Sequence, residues 1–164
     1  MNRRYLDLEH KNGSNMNEIP DLDSLLNSIP ESTVDKRGNI RVFLGQDCFA
    51  TGRLYDLNDG NKWVLWDTVS VPDEYQQYGI GSTLSRKLLQ VARSEGAQKA
   101  YCKIESLGGL KTVNKLHPNN LIYVNANDYV DANERKPINL SHEEAFQMVD
   151  QNGGEANIGV VFDL

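Results

Sequence analysis

The sequence predicts an α/β fold built on a mixed sheet, and three observations carry that reading. Short alternating apolar segments follow one another across residues 40–71, separated by polar turns, as in an antiparallel meander. An amphipathic segment then opens at Ile80 and closes at Gly96, at helical spacing with a glycine at its end. A further alternating segment, Lys99–Glu105, completes a strand–loop–helix–strand unit. Such a crossover lays its two strands parallel within an otherwise antiparallel sheet.

The elements follow in order. Residues 11–18 are polar and read as a loop. Ile19, Leu22, Leu25, Leu26 and Ile29 recur at helical spacing, with Pro20 suited to the first turn and Pro30 to the stop. Gly38-Asn39 precedes the strand Ile40–Leu44, and Gly45-Gln46-Asp47 turns into a second strand, Cys48–Asp56. Asn58–Asn61 turns again into Lys62–Val71. There Trp63, Leu65, Asp67, Val69 and Val71 point one way, and Val64, Trp66, Thr68 and Ser70 the other. Residues 72–79 are a loop. In the helix that follows, Ile80, Leu84, Leu88, Val91 and Ala92 share a face; in Lys99–Glu105, Ala100, Cys102 and Ile104 alternate with Tyr101, Lys103 and Glu105. Leu110–Leu116 reads as a short helix, Asn120–Asn125 as a strand and Asp128–Pro137 as a loop. Ser141-His142-Glu143-Glu144 has capping-box form and opens a helix to about Val149, closed by Gly153-Gly154. Ile158, Val160 and Phe162 mark a last strand.

A chain of 164 residues suits one domain over 1–164, with 1–18 a flexible lead-in and 126–140 a loop insertion. Hydrophobic residues at 39% and charged residues at 24% support a real core and argue against extended disorder. The net charge of −6 is a poor overall sign for a nucleic-acid binder. The charge is unevenly spread: residues 61–117 carry 8 basic and 5 acidic groups, residues 118–164 carry 2 and 8. A positive middle beside an acidic C-terminal third suits an anionic ligand next to a cationic one, although solvated surface charges would look the same. The first residues lack the apolar stretch of a signal peptide, and no apolar run reaches membrane-span length. A cytoplasmic protein without membrane contact is the expectation.

Cys48 and Cys102 lie in apolar segments without metal-ligand spacing, so neither a metal site nor a disulfide framework is expected. They read as buried strand residues rather than nucleophiles. His10, His117 and His142 show no triad or ligand spacing, and His142 within the capping box reads as a surface residue.

Chemistry is concentrated in Gln76-Gln77-Tyr78-Gly79-Ile80-Gly81-Ser82, between a strand and a helix start. The first N–H groups of a helix have no intrahelical partner, and with the helix dipole they make an anion site. Two glycines let a phosphate approach without Cβ interference. A dinucleotide fingerprint would need a third glycine where Leu84 stands, and a triphosphate loop a lysine that Gly81-Ser82-Thr83 lacks.

The stretch Val69–Leu84 resembles the acyl-CoA-binding motif of the GNAT superfamily of N-acyltransferases, Gln/Arg-x-x-Gly-x-Gly/Ala after a strand ending in valine. Gln76, Gly79 and Gly81 match in register, and the likeness covers residues 61–105. It implies a mostly antiparallel mixed sheet with a V-shaped splay between two parallel central strands, flanked by helices. It also implies acetyl-CoA as co-substrate, with the N–H groups of Gln77, Tyr78, Gly79, Ile80, Gly81 and Ser82 cradling its pyrophosphate. Val69 and Val71 would offer backbone groups to the pantetheine arm, and Arg86 and Lys87 would be available to the adenosine phosphates; a solvated helix face is the alternative for those two.

Transfer to an amine needs its proton removed, because an alkyl amine has a pKa near ~10.4. Asp67 is the first candidate base: it lies four residues before Val71, so alternation puts both on one face unless a bulge intervenes. A cross-strand lysine pair or the solvent edge is its alternative role, and Glu105 is the second candidate. A backbone N–H near Val71 would stabilise the oxyanion. The family's tyrosine acid has no counterpart near Asn114-Lys115-Leu116; Tyr123 and Tyr129 are substitutes that also suit packing. The expected activity is transfer of an acetyl group from acetyl-CoA to a primary amine of a small cationic molecule or protein by direct attack. The alternative is a GNAT-fold binding module, weakly active or inactive, that acts through CoA or protein contacts; a homodimer suits either.

Overall fold

The computed structural model describes residues 22–57, 60–127 and 135–164. Seven strands form one sheet: β1 (Glu31–Val34), β2 (Asn39–Leu44), β3 (Cys48–Asp56), β4 (Lys62–Ser70), β5 (Lys99–Ile104), β6 (Asn119–Asn125) and β7 (Ile158–Asp163). Their spatial order is β1-β2-β3-β4-β5-β7-β6, and β4–β5 is the parallel pair. The helices are α1 (Leu22–Asn27), α2 (Ile80–Ser94), α3 (Leu107–Lys115) and α4 (His142–Asn152). This is the mixed α/β architecture expected from the meander followed by a crossover.

The core explains the order. α2 buries Ile80, Leu84, Leu88 and Ala92 against β2, β3 and β4, as its 3.6-residue periodicity requires. α3 contributes Leu110 and Val113, and α4 contributes Ala145 and Val149, to the same cluster. On the other face of the sheet a smaller cluster gathers Trp63, Tyr101, Val124 and Val161. β7 lies between β5 and β6 and is buried from Ile158 to Phe162, which accounts for its unbroken apolar run.

Several elements differ from the sequence reading. α1 buries Leu25 and packs Leu22 against the large cluster, while Leu26 is 46% and Ile29 83% exposed, so only part of the expected apolar face is used; Ile19 and Pro20 lie outside the described residues. β1 carries no apolar alternation and is exposed throughout; it exists because β2 offers an edge to pair with. Gly153 caps α4 as expected, and the chain passes from it directly into a 3₁₀ turn, Gly153–Ala156. The expected loops at 11–18 and 128–134, and the lead-in 1–18, lie outside the described residues.

Candidate functional site

Two local features of β4 shape the site. The first is a bulge. Thr51 of β3 pairs with Thr68 but Gly52 pairs with Trp66, so Asp67 is the extra residue on β4. The parity of the strand flips there. Val64 and Trp66 face the large cluster, Trp63 and Leu65 the small one, yet Val69 and Val71 beyond the bulge return to the large cluster. Asp67 and Val71 therefore do not share a face, which corrects the simple alternation drawn from sequence. The second feature is a gap. Pairing of β4 with β5 runs from Trp63↔Lys99 to Trp66↔Cys102 and stops, although both strands continue. Past that point the edges of β4 and β5 separate.

The gap opens beside the start of α2. Gly79 takes φ +80 and ψ 7 as N-cap, a left-handed conformation that costs a non-glycine residue roughly 1–2 kcal/mol. Gln77 also has positive φ, +70, despite its side chain. These two reversals turn the segment from the 3₁₀ turn Asp73–Tyr75 into the helix with its N–H groups facing outward. The Thr83 N–H donates to Gly79 O at 3.0 Å, closing the first turn. The N–H groups of Gln77 to Ser82 have no acceptor among the described residues. The Gln76 side chain braces the loop, its Nε2 donating to Val71 O at 3.2 Å and to Asp73 Oδ1 at 2.9 Å. A Cβ on Gly81 would meet Val69 Cγ1 at 3.7 Å and Val71 Cγ2 at 3.8 Å, so helix and strand touch there. Arg86, further along α2, donates from Nη2 to Lys115 O at 3.4 Å, at the end of α3 where carbonyls lack helical partners.

On the small-cluster face a cavity of about 420 Å³ reaches the gap. Asp67 and Glu105 line it together, with Asp56, Lys103, Arg135 and the rings of Tyr55, Trp63 and Tyr101. Lys103 Nζ lies 3.8 Å from Glu105 Oε1, and Lys62 Nζ 3.7 Å from Asp56 Oδ1. Asp67 has neither an ion pair nor a hydrogen bond among the described residues, so the lysine pair considered for it from sequence does not form. Cys102 lies beside these groups; burial first, then the charges of Glu105 and Asp67, push its thiol up to about 12. It stays a neutral thiol, as does Cys48, whose burial also raises it.

Tyr123 is elsewhere. It belongs to the large cluster, across the sheet from Asp67, and lines a different cavity of about 700 Å³ with Asn114, His117 and His142. Its hydroxyl lies 2.9 Å from His142 Nδ1, and Asn114 Nδ2 lies 3.1 Å from His142 Nε2. Burial pushes the Tyr123 phenol up, so it is neutral. The capping box puts His142 in the first turn of α4, where its ring reaches β6. A residue read as plain surface thus joins two elements. Tyr129 lies outside the described residues.

Arg135 was missed altogether, because a lone arginine in a polar loop carries no periodic or motif signal. Tyr101 was read only as strand alternation; its place in a cavity follows from β7 packing beside β5.

A family model for the GNAT acetyltransferases matches residues 8–109, more than half of the chain. The chain belongs to the GNAT acetyltransferase family. No curated protein sequence matches it. Among solved structures it is similar to an aminoglycoside acetyltransferase from an uncultured soil metagenomic sample, in complex with sisomicin, at 16% identity and TM-score 0.45 over 68% of this chain and 74% of that one. An arylalkylamine N-acetyltransferase from Aedes aegypti aligns at 15% identity and TM-score 0.44 over 58% of this chain and 63% of its own. A Bacillus subtilis acetyltransferase in complex with CoA aligns at 15% identity and TM-score 0.46 over 79% and 78%. The GNAT chain has no cluster of three or more metal-ligating side chains, and no helix long and apolar enough to cross a membrane, among its described residues.

Proposed function

We propose that this chain is an acetyl-CoA-dependent N-acetyltransferase acting on a primary amine by direct attack. The observation that carries the reading is the row of outward N–H groups from Gln77 to Ser82 beside a β4 edge that β5 leaves unpaired. Those amides suit a diphosphate, and the unpaired edge at Val69 and Val71 suits the amide-bearing arm of the thioester carrier. Arg86 supplies a cation on the exposed side of α2.

Asp67 is the proposed base. It is exposed, unpaired and placed at the bulge, between the cavity and the gap. It attracts an incoming ammonium and takes one proton from it. The amine nitrogen then attacks the thioester carbonyl carbon; the C–N bond forms and the C–S bond breaks. A backbone N–H near Val71 supports the oxyanion. The thiolate leaves, and with no tyrosine on α3 water at the open cavity takes the second proton from the amine nitrogen and hands it to the sulfur. Glu105, tied to Lys103, holds the local charge and is the reserve base.

Acetyl-CoA should raise the melting temperature more than ATP or NAD does, and should release free thiol only when an amine is present. Stabilisation by acetyl-CoA without thiol release across a broad amine panel would favour the second reading, a CoA-holding binding module. Tyr123 favours that second reading in one respect, since it is bound to His142 across the sheet.

A further inference from the structure

The cavity beneath the gap holds two unanswered charges of opposite sign. Its other ionic groups are already matched: Asp56 by Lys62 and Glu105 by Lys103. Asp67 and Arg135 remain, both without an ion-pair partner among the described residues. The Arg135 guanidinium lies 3.4 Å over the ring centre of Tyr101, and its buried Nε and Nη1 have no acceptor among the described residues. A guanidinium stays charged under all ordinary conditions. Arg135 is half-buried; stacking on a ring returns part of the lost hydration, but an unsatisfied buried donor needs an explanation.

The position is built. Tyr101 lies flat across β7 because position 159 is glycine; a Cβ there would sit 2.6 Å from Tyr101 Cε2. The ring thus forms a platform at the cavity wall, and Arg135 rests on it. Leu57, Leu65 and Trp63 give the same cavity an apolar side. Its volume, about 420 Å³, is that of a small-molecule site.

Resting on the transferase reading above, we propose that the acceptor is a small zwitterion of the amino-acid class, its amine at Asp67 and its carboxylate held by Arg135. The planar fork of arginine matches a carboxylate at two points, which a lysine could not do. Arg135 is then the residue that selects amino acids over simple amines.

The test compares each amino acid with its carboxyl-free counterpart: phenylalanine with phenethylamine, leucine with isoamylamine, lysine with cadaverine. The wild-type chain should favour at least one amino acid by about tenfold or more in kcat/KM, mainly through KM. Arg135→Gln should bring that ratio to about one, and Arg135→Lys should fall between. A wild-type preference for the simple amines, or a ratio that Arg135→Gln leaves unchanged, overturns the proposal while leaving the transferase reading in place. Should no amine be turned over, binding of the N-acetylated amino acids is followed by tryptophan fluorescence. Binding that Arg135→Gln abolishes upholds the carboxylate site although the transferase reading falls; no binding by wild type overturns the site. The acidic residues just before Arg135 are the rival partner. Neutralising Asp128, Asp131 and Glu134 together should leave the preference intact, and a carboxylate preference that arises only in that variant overturns the proposal.

Discussion

The two cavities on opposite faces of the sheet hold their polar side chains in opposite states. In the larger one, Tyr123, His142 and Asn114 are bonded to one another. One tautomer serves the whole set, with Nδ1–H donating to the tyrosine oxygen and Nε2 accepting from the amide. In the smaller one, Asp67 and Arg135 have no ion-pair partner among the described residues, and Arg135 only stacks on Tyr101, beside a strand edge and a row of amides that are also unpaired there. A satisfied network joins α3, α4 and β6 and has little left to offer a ligand. Unsatisfied groups gathered at one gap are available for chemistry, and the fold pays a stability cost to keep them so. Polar composition alone does not mark a site; spare bonding capacity does.

Substitutions on the two faces should break that contrast or sharpen it. Asp67→Asn keeps the shape of the bulge and removes the base, so kcat should fall by about 10²–10⁴-fold, with the loss easing as the pH approaches the amine's own pKa. Tyr123→Phe should stay within a few-fold of wild type in the same assay. A hundredfold loss with Tyr123→Phe would assign the proton chemistry to the other cavity. Next in size, Gly79→Val forces a branched residue into the left-handed region. It should weaken acetyl-CoA binding by tenfold or more and cost roughly 1–2 kcal/mol of stability, read by calorimetric titration and denaturant unfolding.

Stability should show the reverse pattern. His142→Ala leaves the buried Tyr123 hydroxyl without its partner and should cost about 1–3 kcal/mol, whereas Asp67→Asn should cost little, as judged from urea midpoints. The smallest effect is expected from pH at the start of α4. Ser141 donates from its backbone N–H and from its hydroxyl to Glu144, holding that carboxyl below its ordinary value of 4.5. This support is complete above the ordinary value and is lost as pH falls through the lowered one. Amide exchange in the first turn of α4 should therefore quicken below about pH 4.5, and Glu144→Gln, which does not titrate, should remove the pH dependence.

Most of the sheet and the glycine-bearing loop before α2 could be read from residue order. Strands β3 and β7, helix α2 and the capping box of α4 rest on alternation, helical spacing or a local hydrogen-bond code, all of which act over a few residues. The same holds for Gln76, Gly79 and Gly81, whose spacing alone sets the turn into α2. β1 was invisible because an edge strand with four exposed residues is held by its neighbour, not by its own pattern.

What the sequence by itself determined was the run of elements and the amide cradle, because short-range sterics and periodic burial are written residue by residue. Only the tertiary structure decided which charges stay unpaired. A one-residue bulge opposite Gly52 left Asp67 on the cavity side and returned Val69 and Val71 to the other face. The insertion of β7 between β5 and β6 put Tyr101 over Gly159 and under Arg135. Those meetings join residues up to 58 positions apart, and no local rule reaches that far.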